Sequence, residues 1–166
     1  DNYEENSDEV GFNLLSSNNN TFTNNVLNLS GVQSDGASVW VASSSNNTFA
    51  YNRLYQSGND GFYIFGSSSN NTFNSNALEN MPFAAFEMHD PSSLSTFINN
   101  SISSDGGYGF FFTGVRNNTL FENTVHGTGT GLYAYNSSNF DIKRDHYFNN
   151  SIDIYVQEPT PYVMGL

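Results

Sequence analysis

Ser67-Ser68-Ser69-Asn70-Asn71-Thr72-Phe73 is the phrase to which this sequence keeps returning. It recurs as Ser43 to Phe49 and Ser17 to Phe22, and in weaker form as Pro91 to Phe97 and Gly114 to Leu120. A last echo is Asn136-Ser137-Ser138-Asn139-Phe140. Aligned on Thr21, Thr48, Thr72, Thr96 and Thr119, the intervals are 27, 24, 24 and 23 residues. Self-similarity at a period of about 20–50 residues marks a repeat array, in which no single unit buries its own apolar face. The phrase therefore predicts a solenoid.

The residues around the phrase say which solenoid. Each repeat begins at a small residue: Gly11, Gly36, Gly61, Ala85, Gly109, Gly131. Apolar residues follow one position on (Phe12, Ala37, Phe62, Phe86, Phe110, Leu132) and three positions on (Leu14, Val39, Ile64, Met88, Phe112, Ala134). A spacing of two is strand spacing with one face buried. After the polar turn come Phe22, Phe49, Phe73, Phe97, Leu120 and Phe140, then a second short strand. That strand carries Asn25, Asn52, Asn76, Asn100 and Asn123, each two residues before Leu27, Leu54, Leu78, Ile102 or Val125.

Short parallel strands stacked about 4.8 Å apart would place like residues above one another. Apolar columns then form a continuous core, and the Asn column forms a ladder in which each amide donates to one neighbour and accepts from another. The glycines at the corner are expected to supply positive φ. A leucine-rich repeat has a similar period, but Phe outnumbers Leu here and the returns are Ser, Asn and Gly, which are poor helix formers. The expected fold is all-β: a right-handed, single-stranded parallel β-helix of six to seven rungs with a period of 22–27 residues. The expected boundaries are an acidic segment or partial rung at 1–10, the β-helix at 11–156 and a tail at 157–166.

The ends are less regular. Asp1, Glu4, Glu5, Asp8 and Glu9 make the start acidic, and Asn2 lies nine residues before Gly11, the interval that separates Asn52 from Gly61. From Asp141 the pattern degrades: Lys143-Arg144-Asp145-His146 puts charge where the ladder Asn should be. Ile152, Ile154 and Val156 alternate as one more strand, which Pro159 and Pro161 close. No capping helix follows. An uncapped end is an open edge, to be covered by a further domain, another subunit or Tyr162 to Leu166.

Sixteen acidic residues against four basic ones argue against nucleic acid, whose phosphates are held by clustered Lys and Arg. There is no apolar run long enough to cross a membrane and no cationic-apolar leader, and the chain opens at Asp1, as a processed or excised chain would. With no cysteine there are no disulfides or thiolate metal sites. Eight Asn-x-Ser/Thr sequons, at Asn19, Asn28, Asn46, Asn70, Asn99, Asn117, Asn136 and Asn149, point to an extracellular, cell-surface or periplasmic location, although most repeat one turn.

The Ser-x-Asn-Asn-Thr-Phe-x-x-x-Asn phrase with its glycine-aromatic strand, as in Asn70 to Asn76 and Gly61 to Ile64, resembles the carbohydrate-binding and sugar-hydrolysis (CASH) β-helix family. The resemblance covers residues 11–156. That family includes periplasmic copper-associated nitrous-oxide-reductase maturation proteins and archaeal cell-surface proteins. It implies a lyase, hydrolase or epimerase of polysaccharides, or an envelope component without chemistry.

Residues two and four after each small residue should face outward: Asn13/Leu15, Ser38/Trp40, Tyr63/Phe65, Glu87/His89, Phe111/Thr113 and Tyr133/Tyr135. Trp40, Tyr63, Phe65, Phe111, Tyr133 and Tyr135 would then form an aromatic face for a glycan, for another protein surface or for a covering segment. Glu87, His89 and Asp90 are the catalytic candidates, since glycosidases use two carboxylates about 5–9 Å apart. Polyuronate chemistry is disfavoured by the acidic body and scattered Arg53, Arg116, Lys143 and Arg144. Asp35 and Asp60 precede aligned glycines and could stack to hold calcium, although Asp-Gly is also a favoured turn. His89, His126 and His146 fall at different repeat positions, so no copper is assigned. The expected function is a non-catalytic surface module, self-associating as an envelope or filament subunit and N-glycosylated. Glycan binding through the aromatic face, and carbohydrate-active catalysis, are the alternatives.

Overall fold

The computed structural model describes residues 2–5, 7–8, 10–28, 36–104 and 106–158. The chain enters at β1 (Tyr3–Glu5) and then repeats one unit, a six-residue strand followed by two three-residue strands. The first turn is β2 (Val10–Leu15), β3 (Thr21–Thr23) and β4 (Val26–Asn28); the second is β5 (Ala37–Ala42), β6 (Thr48–Ala50) and β7 (Arg53–Tyr55). Next come β8 (Asp60–Phe65), β9 (Thr72–Asn74) and β10 (Ala77–Glu79), then β11 (Ala84–His89), β12 (Thr96–Ile98) and β13 (Ser101–Ser103). The fifth turn is β14 (Tyr108–Thr113), β15 (Thr119–Phe121) and β16 (Thr124–His126). The sixth is β17 (Thr130–Tyr135), β18 (Asp141–Lys143) and β19 (His146–Phe148), and β20 (Ile152–Gln157) follows.

Three parallel sheets result. The long strands form one, β2-β5-β8-β11-β14-β17-β20; a second runs β1-β4-β7-β10-β13-β16-β19, and a third β3-β6-β9-β12-β15-β18. This is the parallel β-helix that the repeat predicts. Thr21, Thr48, Thr72, Thr96 and Thr119 are successive Cα partners, so the alignment made on the repeated phrase is the physical register.

Two details of the expected rung are corrected. The single second strand is two strands, because the chain turns a corner at the ladder Asn. Residues just before it, such as Asn24, Tyr51, Ser75 and Asn99, have φ of 52–58°, a conformation that cannot continue a strand. The corner glycines do not supply positive φ. Gly11, Gly61, Gly109 and Gly131 lack it, and their need for smallness is contact. A Cβ on Gly61 would lie 2.5 Å from Leu78 Cδ2 and 2.6 Å from the Ala85 carbonyl oxygen, and one on Gly109 2.5 Å from both Val125 Cγ1 and the Gly131 carbonyl oxygen. Left-handed backbone falls instead on turn residues, including seven of the eight sequon asparagines; Asn28 lies in β4.

The core is made of columns. Phe22, Phe49, Phe73 and Phe97 stack face to face at 5.2, 5.1 and 4.9 Å. Phe62, Phe86 and Phe110 do the same at 5.1 and 5.3 Å, and meet the first column edge-on. Ring spacing thus follows strand spacing, and each fully buried Phe contributes roughly 1.5–3 kcal/mol.

Polar columns line the corners. Asn25 N–H and Nδ2 donate to Asn52 Oδ1 at 3.0 and 2.9 Å, Asn52 repeats this on Asn76, Asn76 on Asn100 and Asn100 on Asn123. The second Nδ2 proton goes to a carbonyl in the preceding rung, as from Asn76 to Phe49. Asn20, Asn47, Asn71, Ser95 and Asn118 form a second ladder, and Ser17, Ser44, Ser68 and Ser92 a third.

Candidate functional site

The outward face of the long sheet is where uncommon side chains collect. Register corrects the second rung: Trp40 pairs with Asn13 and Tyr63, so Ser38, not Gly36, is the counterpart of Gly11. Ser38 is consequently buried and not outward. The error arises from the longer β4–β5 connection, which displaces the glycine. The outward column reads Asn13, Trp40, Tyr63, Glu87, Phe111, Tyr133 and Tyr155.

Two aromatic groups flank one polar patch. On one side Tyr63 and Phe65 stack at 4.6 Å, with Trp40 edge-on to both. On the other, Phe111, Tyr133 and Tyr155 lie nearly parallel at 5.2 and 5.0 Å, with Tyr108 and Phe83 against Phe111. Trp40, Tyr63, Phe65, Phe111 and Tyr133 are only half-buried, because each ring covers its neighbour; Tyr135 is 46% exposed. Trp40 Nε1 is buried with no hydrogen-bond partner among the described residues.

Between the rings runs a chain of titratable groups. Glu87 Oε1 contacts His89 Nε2, and His89 Nδ1 lies 2.6 Å from Thr113 Oγ1. On its other side Glu87 shares a side-chain hydrogen bond with Asp60. Asp60 also accepts from the Ala84 N–H at 3.1 Å and from Asn59 Nδ2 at 3.0 Å. Burial, then the Glu87 charge, push the Asp60 carboxyl up to about 9. The two carboxyls thus sit side by side in a buried pocket that favours a proton between them. Burial first, and the two carboxyls next, also raise the Tyr63 phenol.

The three catalytic candidates are not brought together as a set. Glu87 and His89 meet, whereas Asp90 is exposed, its N–H donating to the Thr113 carbonyl. His89, Asp90, Thr113, Gly114, Tyr135 and Asn136 line a shallow concavity of about 290 Å³. Asp60, not Asp90, is the second carboxyl of the cluster, and its separation from Glu87 is one rung plus a diagonal. Sequence alignment by columns hid that diagonal. Both ring nitrogens of His89 face protein partners, and Glu87 and Asp60 are buried.

Asp60 pairs with Ala37 in the long sheet; Asp35, the other residue of the calcium expectation, lies outside the described residues. His126 stacks on Phe148 at 5.0 Å and His146 is exposed in β19, so the histidines occupy separate columns from His89. No helix among the described residues is long and apolar enough to cross a membrane.

The family described as the right-handed β-helix region matches residues 1–94 and 84–161. The chain belongs to the right-handed β-helix family. No curated protein matches it.

Proposed function

We propose that this β-helix is a non-catalytic module of the cell surface or extracellular space, a self-assembling structural subunit of an envelope or filament, of the CASH kind. The observation that carries the reading is the last rung. Ile152, Ile154 and Val156 in β20 are 49, 46 and 45% exposed, and no strand among the described residues pairs with the far edge of β20. Such an edge is a template for further parallel strands. The sequon asparagines at the turns, all exposed except half-buried Asn28, suit N-glycosylation, which would coat the flanks and leave the ends clear. The engagement of His89 with Glu87 and Thr113, protein groups on the same face, is in keeping with a role without catalysis.

Sedimentation velocity and electron microscopy between pH 4 and 8 test this. Rods or stacked oligomers are expected from the native chain, and Ile154→Lys with Val156→Lys should remain monomeric with an unchanged circular dichroism spectrum. Native material that is monodisperse monomer throughout would sink the reading.

Glycan binding is a second reading, favoured by the run of partly exposed aromatic side chains, Phe111, Tyr133 and Tyr155, along the outward face. Affinity electrophoresis in polysaccharide gels should show Trp40→Ala and Tyr133→Ala migrating unretarded if the face binds; retardation equal to the native chain would remove it.

A further inference from the structure

The principal Asn ladder has a direction, and its two ends differ. Every member donates from its N–H and Nδ2 to Oδ1 of the next rung, beginning at Asn2, whose N–H and Nδ2 reach Asn25 Oδ1 at 3.2 and 2.9 Å. The last member is Asp145, whose Oδ1 accepts from Asn123 N–H and Nδ2 at 2.6 and 3.0 Å. Where every earlier rung has an Nδ2 donor, Asp145 has a second carboxylate oxygen. Among the described residues nothing donates to Asn2 Oδ1. One end therefore offers an acceptor, and the other offers its backbone N–H together with, when ionised, a carboxylate oxygen where every other rung has an amide donor.

We propose that the two ends of the rod are each other's partner, and that a second copy stacks head to tail only when Asp145 carries a proton. This rests on the self-assembly reading. In the stack β20 lies on β2 of the second copy, with Ile154 over Phe12 and Val156 over Leu14, and β19 lies on β1. The third sheet keeps one level open between β18 and β3 of the second copy. Protonated Asp145 Oδ2 donates to Asn2 Oδ1 of the second copy and the ladder runs on; ionised, it sets oxygen against oxygen in a buried junction, where an unpaired charge is costly. Glu4 stands at the same junction. It occupies the inward column of Leu27, so in the stack its carboxyl would face Tyr147.

The groups around Asp145 are few. Tyr147 Oη lies 3.5 Å away and His146 is adjacent, while Arg144 is engaged by Glu122 at 3.1 Å and Lys143 by Asp141 at 2.8 Å. Among the described residues of the neighbouring rung Asn123 faces it; across the junction come Asn2, Glu4 and Glu5 of the second copy. Burial already holds the Asp145 carboxyl above the usual range.

Sedimentation velocity of the full chain, of Asp145→Asn and of Asp145→Asn with Glu4→Gln, at pH 4.5 and 7.5, tests the proposal. The native chain should sediment as monomer at pH 7.5 and as multiples at pH 4.5, and the double variant as multiples at both. Because the variants carry the neutral state into pH 7.5, acid unfolding cannot mimic the result. Native chain stacking equally at pH 7.5 overturns the gate and leaves assembly standing. Absence of stacking in every variant at both pH values overturns assembly itself. Strong amide-exchange protection of β20 in the monomer would show its edge filled by the chain's own following residues, and would overturn the proposal as well.

Discussion

Asp60 shows how much one side chain depends on its neighbours. It is 2% exposed, holds the Ala84 N–H and leans on Glu87. In the unfolded chain its carboxyl titrates near 3.8, and in the fold burial and Glu87 move it to about 9. The folded state thus binds the proton more tightly. The Asp60 contribution to stability is fully present below about pH 4 and is lost as pH rises toward 9, because over that range the unfolded chain releases the proton that the fold retains. Asp60→Asn reproduces the protonated form, with Oδ1 for Ala84 and Nδ2 for Glu87. Thermal melts should show the variant above the native chain at pH 8.5, with the gap closing toward pH 4.5. A gap independent of pH would refute this account. Sequence alone offered Asp60 as a turn residue or calcium ligand; its partner is a diagonal neighbour, and a linear pattern does not encode diagonals.

At the scale of the element, the Asn ladder joins the sheets at their corners. Asn76 takes two hydrogen bonds from Asn52 and gives two, to Asn100 Oδ1 and the Phe49 carbonyl. Replacing it by Ala strands several buried polar groups, each worth about 1–3 kcal/mol. Urea denaturation of Asn76→Ala should show a loss of about 3–5 kcal/mol, a large part of the roughly 5–15 kcal/mol typical of a domain. A loss below about 1 kcal/mol would mean the ladder is decorative. This column was legible because an identical residue recurs at a fixed offset. The corner it occupies was not: three-residue strands carry too little alternation to separate one strand from two, and the break lies in the φ of the preceding residue. The glycine column was legible for a similar reason and misassigned in cause, because contact with Leu78 or Val125 exists only once rungs are stacked.

The whole molecule behaves as a column of like units, each touching only the rungs beside it. In such an array the middle has two neighbours and the ends have one. The middle rungs carry Phe62, Phe73, Phe86 and Phe97, all fully buried, whereas Phe148, Ile152 and Ile154 in the last are half exposed. Native-state hydrogen exchange should be slowest in β8 to β14 and fastest in β18 to β20, graded toward both ends. Uniform protection along the rod would point to a single cooperative unit with both ends covered.

What the sequence by itself determined is the axial order of the turn and ladder columns: which Thr, Phe and Asn stand above which from Thr21 to Asn123. That order follows from repetition, since stacking equal side chains satisfies amides and packs rings in every rung alike. Only the tertiary structure decided the lateral arrangement: three sheets in place of two, Trp40 beside Tyr63 despite the displaced Gly36, and Asp60 against Glu87. Those contacts depend on how far the backbone turns at each corner and on where an inserted residue is absorbed, quantities that a one-dimensional repeat leaves open.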